Sequence, residues 1–370
     1  MDDAFTLIDS ATALQQLCQR LATKQWFAID TEFLREKTYY PKLCLIQVAS
    51  DEEIACIDLL AIDDLGCFKT LLTNPAVTKV FHSASQDMEA LLHTLGQTPT
   101  PIFDTQIAAS LLGQGDQTGY AALVEKLLQV QLPKSQTRTD WSRRPLSPEQ
   151  LRYAADDVRY LRQIYPLQMT RLAQQNRLDW VREDCAMLED PKKYQPQAST
   201  VLRRVKGQHL LPIRQRATIR ELALWREQQA EKRNLPRKWV LSDNAVLALA
   251  QNPPATAAEL RNIDNLPSKT AARHGNELLT LIHDSLSLDD AEIARRIPQK
   301  KLTPEETGKV KAVQKILAEI AQAENINPSL IASRKDIEHL IQIGNDIPLM
   351  RGWRYELAGK RIEEMLASEA

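Results

Sequence analysis

Asp30 and Glu32 stand two residues apart inside the apolar run Trp26-Phe27-Ala28-Ile29-Asp30-Thr31-Glu32-Phe33. Side chains along a strand alternate between faces, so a strand here projects both carboxylates from one side, where they repel each other. On an edge strand facing water that arrangement is ordinary. Phe27, Ile29 and Phe33 instead suit a strand inside a sheet, where unpaired carboxylates are costly to desolvate. A hard divalent cation with oxygen ligands is the natural partner. Asp87 falls in the first turn of a helix just past the strand Lys79-Val80-Phe81, a position where an aspartate also serves as a cap or dipole partner. Tyr153 and Asp157 lie four residues apart on a later helix and share one of its faces. Taken as an isolated pair they read as a partly buried tyrosine beside a surface aspartate. Asp156 competes with Asp157, and helical spacing alone does not exclude it.

Groups suited to a polyanion lie between these elements. The segment 133–147 carries Lys134, Arg138, Trp141, Arg143 and Arg144 around two prolines. On its own it reads as a solvated connection. Beside acidic metal ligands it becomes a candidate clamp for nucleic acid, because Arg pairs with phosphate oxygens and Trp stacks on bases. His82 reads as a structural or substrate-contacting histidine, since hard-metal sites prefer oxygen.

The elements that must position these residues follow from the apolar pattern. A short strand at 5–8 precedes a helix to about Leu21, and the Asp30 strand follows. Two β-branched runs, 43–49 and 54–59, are joined by Ser50-Asp51-Glu52-Glu53, which suggests an antiparallel meander. Next come a helix at 68–72, a strand at 78–81 and a helix from Ser85 to Leu95, stopped by Gly96 and Pro99. Asp104 can cap the helix that starts at Gln106. Ser147-Pro148-Glu149-Gln150 opens the Tyr153 helix with Ser as cap and Pro in its first turn. Strands first and α/β alternation afterwards imply a mixed sheet covered by helices.

A chain of 370 residues has room for two or three domains, and 43% hydrophobic with 26% charged residues fits a globular protein. The formal net charge of −1 hides an acidic first part and a basic stretch at 201–240, the latter suited to polyanions. Cys18, Cys44, Cys56, Cys67 and Cys185 form no paired spacing and read as buried thiols in a reducing compartment. With no long apolar run and an acidic start, the expectation is a cytoplasmic protein that does not meet a membrane. No heptad or exposed apolar repeat announces an interface, so a monomer is expected.

Together the carboxylate motifs occur in the order found in the DEDD exonuclease superfamily, in the subclass whose third motif carries tyrosine. FAIDTEF, LCLIQVAS, VFHSASQDMEAL, FDTQIAASLLG and DWSRRPLSPEQLRYAADDVRYL resemble the ribonuclease D family over roughly the first 170 residues. The resemblance implies a ribonuclease-H-like α/β exonuclease domain with a mixed sheet, followed by all-α HRDC-type domains. It also implies 3′–5′ exonucleolytic removal of 3′-terminal nucleotides from tRNA precursors and other small structured RNAs, releasing 5′-nucleoside monophosphates. Its cofactors are two divalent cations, Mg²⁺ or Mn²⁺, which suit an all-oxygen site. By the resemblance Asp30 bridges both ions, Glu32 and Asp157 complete the site that activates water, and Asp87 helps hold the second. Tyr153 positions the attacking water; with an ordinary pKa near 10 it is a poor general base.

The exonuclease domain is expected over 1–190, with a linker at 191–210. An HRDC domain is expected at 211–292, carried by Arg237 to Asp243, Ala245 to Ala250 and Ala272-Arg273-His274-Gly275, and a second, HRDC-like helical domain at 298–370. The basic cluster Arg203, Arg204, Lys206, Arg214, Arg216 and Arg220 is compatible with phosphate contacts and equally with a solvated face. Two other functions stay open: a DNA exonuclease on the same scaffold, and a catalytically silent RNA-binding adaptor. Divalent-metal-dependent release of mononucleotides separates an enzyme from an adaptor.

Overall fold

The computed structural model describes residues 4–132, 139–297 and 302–368. They divide into two compact units, one of Met1–Leu34, Lys42–Lys193 and Leu302–Ala370, the other of Arg35–Pro41 and Tyr194–Lys301. Among the described residues no helix is long and apolar enough to cross a membrane.

The first unit is organised on a six-stranded sheet: β1 (Thr6–Ile8), β2 (Trp26–Leu34), β3 (Lys42–Ala49), β4 (Ile54–Asp58), β5 (Thr78–Phe81) and β6 (Ile102–Asp104), in the order β1-β4-β3-β2-β5-β6. β2, β3 and β4 form the expected antiparallel meander, while β5 pairs parallel with β2 and with β6, and β1 parallel with β4. The β3–β4 turn closes because the Ser50 hydroxyl accepts from the amides of Glu52 and Glu53. Residues 43–49 of β3 are all buried, the mark of a central strand covered on both faces.

Helices α1 (Ala11–Leu21), α2 (Gly66–Leu72), α3 (Ser85–Leu95), α4 (Thr105–Leu111), α5 (Tyr120–Leu128), α6 (Pro148–Arg159), α7 (Leu161–Gln174) and α8 (Leu178–Glu189) cover that sheet. α3 stops where Gly96 takes φ 80°, which costs glycine nothing. α6 starts in a capping box, with the Ser147 hydroxyl on the Gln150 amide and the Gln150 side chain on the Ser147 amide, and Pro148 in the first turn. Asp104 caps α4 and also accepts from the amides of Ser83 and Ala84, tying the start of α3 to the end of β6.

The C-terminal residues, expected as a second HRDC-like domain, fall in the same compact unit as the nuclease sheet, and Pro298, where that domain was to begin, lies outside the described residues. The reason is a four-membered stack. Trp353 lies flat on Trp180 of α8, centroids 4.3 Å apart and 11° from parallel, with the Arg177 guanidinium over one indole and that of Arg354 over the other. Buried Asp184 accepts from the Trp353 indole N–H at 3.1 Å and from both terminal nitrogens of Arg354 at 2.5 and 2.9 Å. Arg177 also pairs with Glu324 at 2.7 Å. Trp353→Ala removes the centre of this clamp, and truncating a buried tryptophan costs about 3–5 kcal/mol. A marked fall in melting temperature, with protease cleavage after Leu302, is the expected result.

The second unit is helical: α9 (Ala198–Arg203), α10 (Ile213–Arg233), α11 (Arg237–Val240), α12 (Asp243–Gln251), α13 (Ala257–Arg261), α14 (Ser268–Leu286) and α15 (Asp290–Arg296). Its core draws on Val201, Leu202 and Val205, so the stretch expected as a linker at 191–210 is in part a packed helix. Residues 35–41, expected in the exonuclease domain, also belong here. The Tyr39 hydroxyl donates to buried Glu227 at 2.6 Å and the Tyr40 hydroxyl to Glu231 at 2.8 Å, while the Asn234 carbonyl oxygen accepts from both tyrosine amides. Much of the basic cluster is committed internally: Arg204 to Glu227, Arg214 to Asp290, Arg216 to Gln208 and Arg220 to Glu221.

Candidate active site

β2 supplies Asp30 and Glu32 from one face of the central sheet. Thr31, between them, points to the other face and donates to the carboxylate of Asp87 at the start of α3. α6 packs against β2 and β3 and delivers Asp157 to the Asp30 side chain. Oxygens of Asp30, Glu32 and Asp157 all lie within 4.8 Å of one another. Asp156, the adjacent alternative, instead accepts from Arg159 Nε at 2.7 Å. Asp87 is outside that tight trio, and its charge still reaches Asp30, Glu32 and Asp157.

Burial and mutual repulsion make the cluster hard to ionise. Burial, then the charges of Asp30, Asp157 and Asp87, pushes Glu32 up to about 10. Burial, then Asp156 and Asp87, raises Asp157 to about 8. Asp30 is raised by burial and by Asp157, and Asp87 by burial and by Asp30. A convergent, electron-rich set of oxygens fits hard divalent cations, which satisfy the lone pairs and cancel the repulsion. Tyr153, one turn before Asp157, donates its hydroxyl to that carboxylate; burial and the charges of Asp157, Glu32 and Asp30 raise its pKa, so it stays a phenol.

The nucleic-acid contacts expected from the basic loop divide sharply. Trp141 is only 3% exposed, leaving no face for a base, and its ring lies 6.2 Å from that of Tyr153. Arg144 forms a two-pronged pair with buried Asp58, both bonds 2.6 Å, and its remaining donors reach the carbonyls of Trp141, Arg143 and Cys44. Both residues shape the site wall and are not free to bind RNA. His82 is half-buried, its Nδ1 is 2.9 Å from the Thr105 hydroxyl, and burial pushes its pKa down. Arg143 is exposed, while Lys134 and Arg138 lie outside the described residues.

Sequence reasoning missed Tyr120. Its hydroxyl donates to the Asp156 carbonyl at 2.7 Å and accepts from the Tyr160 amide at 3.4 Å. A helix continuing through Tyr160 would join that amide to that carbonyl directly. The hydroxyl thus takes the place of one helical bond, which separates α6 from α7 just beyond Asp157. Nothing around Gly119-Tyr120 in the sequence marks this, because the partner lies 36 residues away.

The chain is similar to known proteins. Residues 5–172 match the 3′–5′ exonuclease family and residues 215–282 the HRDC domain. The chain is 40% identical to ribonuclease D of Acidiphilium cryptum, across 95% of this chain and 91% of that one. It is 37% identical to ribonuclease D of Pseudomonas paraeruginosa, across 97% and 96%. The crystal structure of Escherichia coli RNase D, an exoribonuclease involved in structured RNA processing, superposes with a TM-score of 0.85 at 31% identity over 99% of both chains. The catalytic core of RRP6 from Trypanosoma brucei shares the fold at 24% identity and a TM-score of 0.59, over 77% of this chain and 81% of that one. With a nuclease sheet, an acidic cluster that calls for divalent metal and a helical HRDC region in one chain, the protein belongs to the ribonuclease D family and is a metal-dependent 3′–5′ exoribonuclease.

Proposed function

We propose that this enzyme trims the 3′ ends of tRNA precursors and other small structured RNAs, releasing 5′-nucleoside monophosphates, with Asp30, Glu32, Asp87 and Asp157 holding two ions of Mg²⁺ or Mn²⁺. The observation that carries the reading is the convergence of the Asp30, Glu32 and Asp157 oxygens within 4.8 Å. Divalent ions bound there supply Lewis acidity, lowering the pKa of water and stabilising a departing 3′-oxygen. The chain's own residues do the positioning. Asp30 faces both Glu32 and Asp157 and would hold ions together with them, while Asp87 would help from the start of α3. The Tyr153 phenol, protonated and anchored on Asp157, offers its oxygen to orient a water for in-line attack and does not remove the proton itself.

Trimming of structured RNA is supported by the likeness to Escherichia coli RNase D, an exoribonuclease involved in structured RNA processing. Five free cysteines support a reducing, cytoplasmic setting. The enzyme acts as a monomer in this reading, its nuclease site being assembled within one chain. Among the described residues of the basic loop, Arg143 is the exposed cation able to meet phosphate. Arg143→Ala is expected to raise KM for RNA several-fold, as loss of one charge-assisted hydrogen bond does, with no change in melting temperature. Arg144→Ala strands buried Asp58, which costs about 3–5 kcal/mol, and should lower the melting temperature at unchanged KM.

The test is nucleotide release from a 3′-extended tRNA and from a matched single-stranded DNA, with Mg²⁺, Mn²⁺ or EDTA. Release from the tRNA that stops in EDTA supports the reading. Equal hydrolysis of the DNA would make the enzyme a general exonuclease, and intact tRNA under every metal would overturn the assignment.

A further inference from the structure

Gln47 sits at the middle of β3 with no part of it exposed, and neither its amide nitrogen nor its oxygen has a hydrogen-bond partner. A buried amide without partners costs about 1–3 kcal/mol, so a central strand of a folded enzyme is a poor place for one unless the group works. The register says where it works. Gln47 pairs with Asp30 on β2 and with Cys56 on β4, so its side chain projects from the Asp30 face, beneath α6. Directly opposed side chains start about 4.5–5.5 Å apart, so the amide and the Asp30 carboxylate are neighbours that one water can join.

We infer that Gln47 is a positioning residue for Asp30: its amide N–H donates through one ordered water to that carboxylate and fixes its oxygens for the cations. The inference rests on the metal-site reading above and adds a residue to it. Carboxylates that ligate metals are themselves held by hydrogen bonds, and loss of such a partner lowers metal affinity or activity about 10–100-fold. The other central positions of β3, such as Leu45, Ile46 and Val48, are aliphatic, so packing alone does not ask for an amide here.

Gln47→Leu keeps the volume and removes the amide; Gln47→Met, more adaptable in shape, guards against a packing fault. Three readouts on the full chain decide: melting temperature in EDTA, Mn²⁺ affinity by calorimetry, and kcat and KM at saturating Mn²⁺. The expected result is a melting temperature equal to or above wild type, Mn²⁺ binding about 10–100-fold weaker in both variants, and KM for RNA unchanged. Unaltered Mn²⁺ affinity in either well-folded variant would overturn the inference and leave Gln47 a tolerated orphan, whatever its melting temperature. If the wild type itself bound no Mn²⁺, the metal-site reading would fail first, which keeps the two failures distinct.

Discussion

Asp157→Asn is expected to abolish most nucleotide release and at the same time to stabilise the metal-free protein. Taking away one of three converging carboxylates removes several kcal/mol of transition-state stabilisation, and about 4 kcal/mol corresponds to a rate loss on the order of 10³. The same change removes a charge from a cluster whose members already raise one another's pKa, so the melting temperature in EDTA should rise. Loss of function with gain of stability is the signature of strain held for binding and catalysis. Asp156→Asn is the matched comparison. It weakens the ion pair with buried Arg159, so it should lower the melting temperature while release continues. Single-turnover release and calorimetry on both variants check the prediction, and the reverse assignment would show that the neighbouring aspartate is the ligand.

Metal and pH should act on stability in opposition. A carboxyl group whose folded-state pKa is raised binds more protons folded than unfolded, so stability falls as pH climbs from the unfolded pKa through the folded one. For Asp157 that window runs from its ordinary value near 4 to about 8, and for Glu32 to about 10. In EDTA the melting temperature should therefore fall steadily across neutral pH. Saturating Mg²⁺, which binds the ionised cluster, should cancel that decline, so the gain in melting temperature on adding metal grows with pH. Thermal scans with EDTA and with Mg²⁺, from about pH 5 to about pH 9, test this. A metal-induced gain that shrank as pH rose would contradict it.

The nuclease core was legible because its signals are local. Alternation on β2 put Asp30 and Glu32 together, a four-residue spacing joined Tyr153 to Asp157, and Gly96 marked the end of α3. What the chain hid was settled by partners far away in sequence. Trp141 and Arg144 look like an RNA clamp until Asp58, 86 residues earlier, claims the arginine and the indole is buried beside Tyr153. Tyr39 and Tyr40 read as part of the nuclease, yet their hydroxyls answer to Glu227 and Glu231. The last helices look like a repeat of the HRDC module, and it takes the Trp180–Trp353 stack and the Asp184 contacts to see that they pack within the nuclease unit. Choosing Asp157 over Asp156 also needed the phase of α6 against the sheet, which Tyr120 helps set from another helix.

The central claim is that the carboxylates of β2, α3 and α6 form the metal site of this ribonuclease. The most direct measurement is anomalous scattering from crystals of the full chain grown with Mn²⁺. The account predicts manganese density between Asp30, Glu32 and Asp157, extending toward Asp87, and its loss in Asp157→Asn. Manganese bound elsewhere, with this cluster protonated and empty in an active crystal, would contradict it.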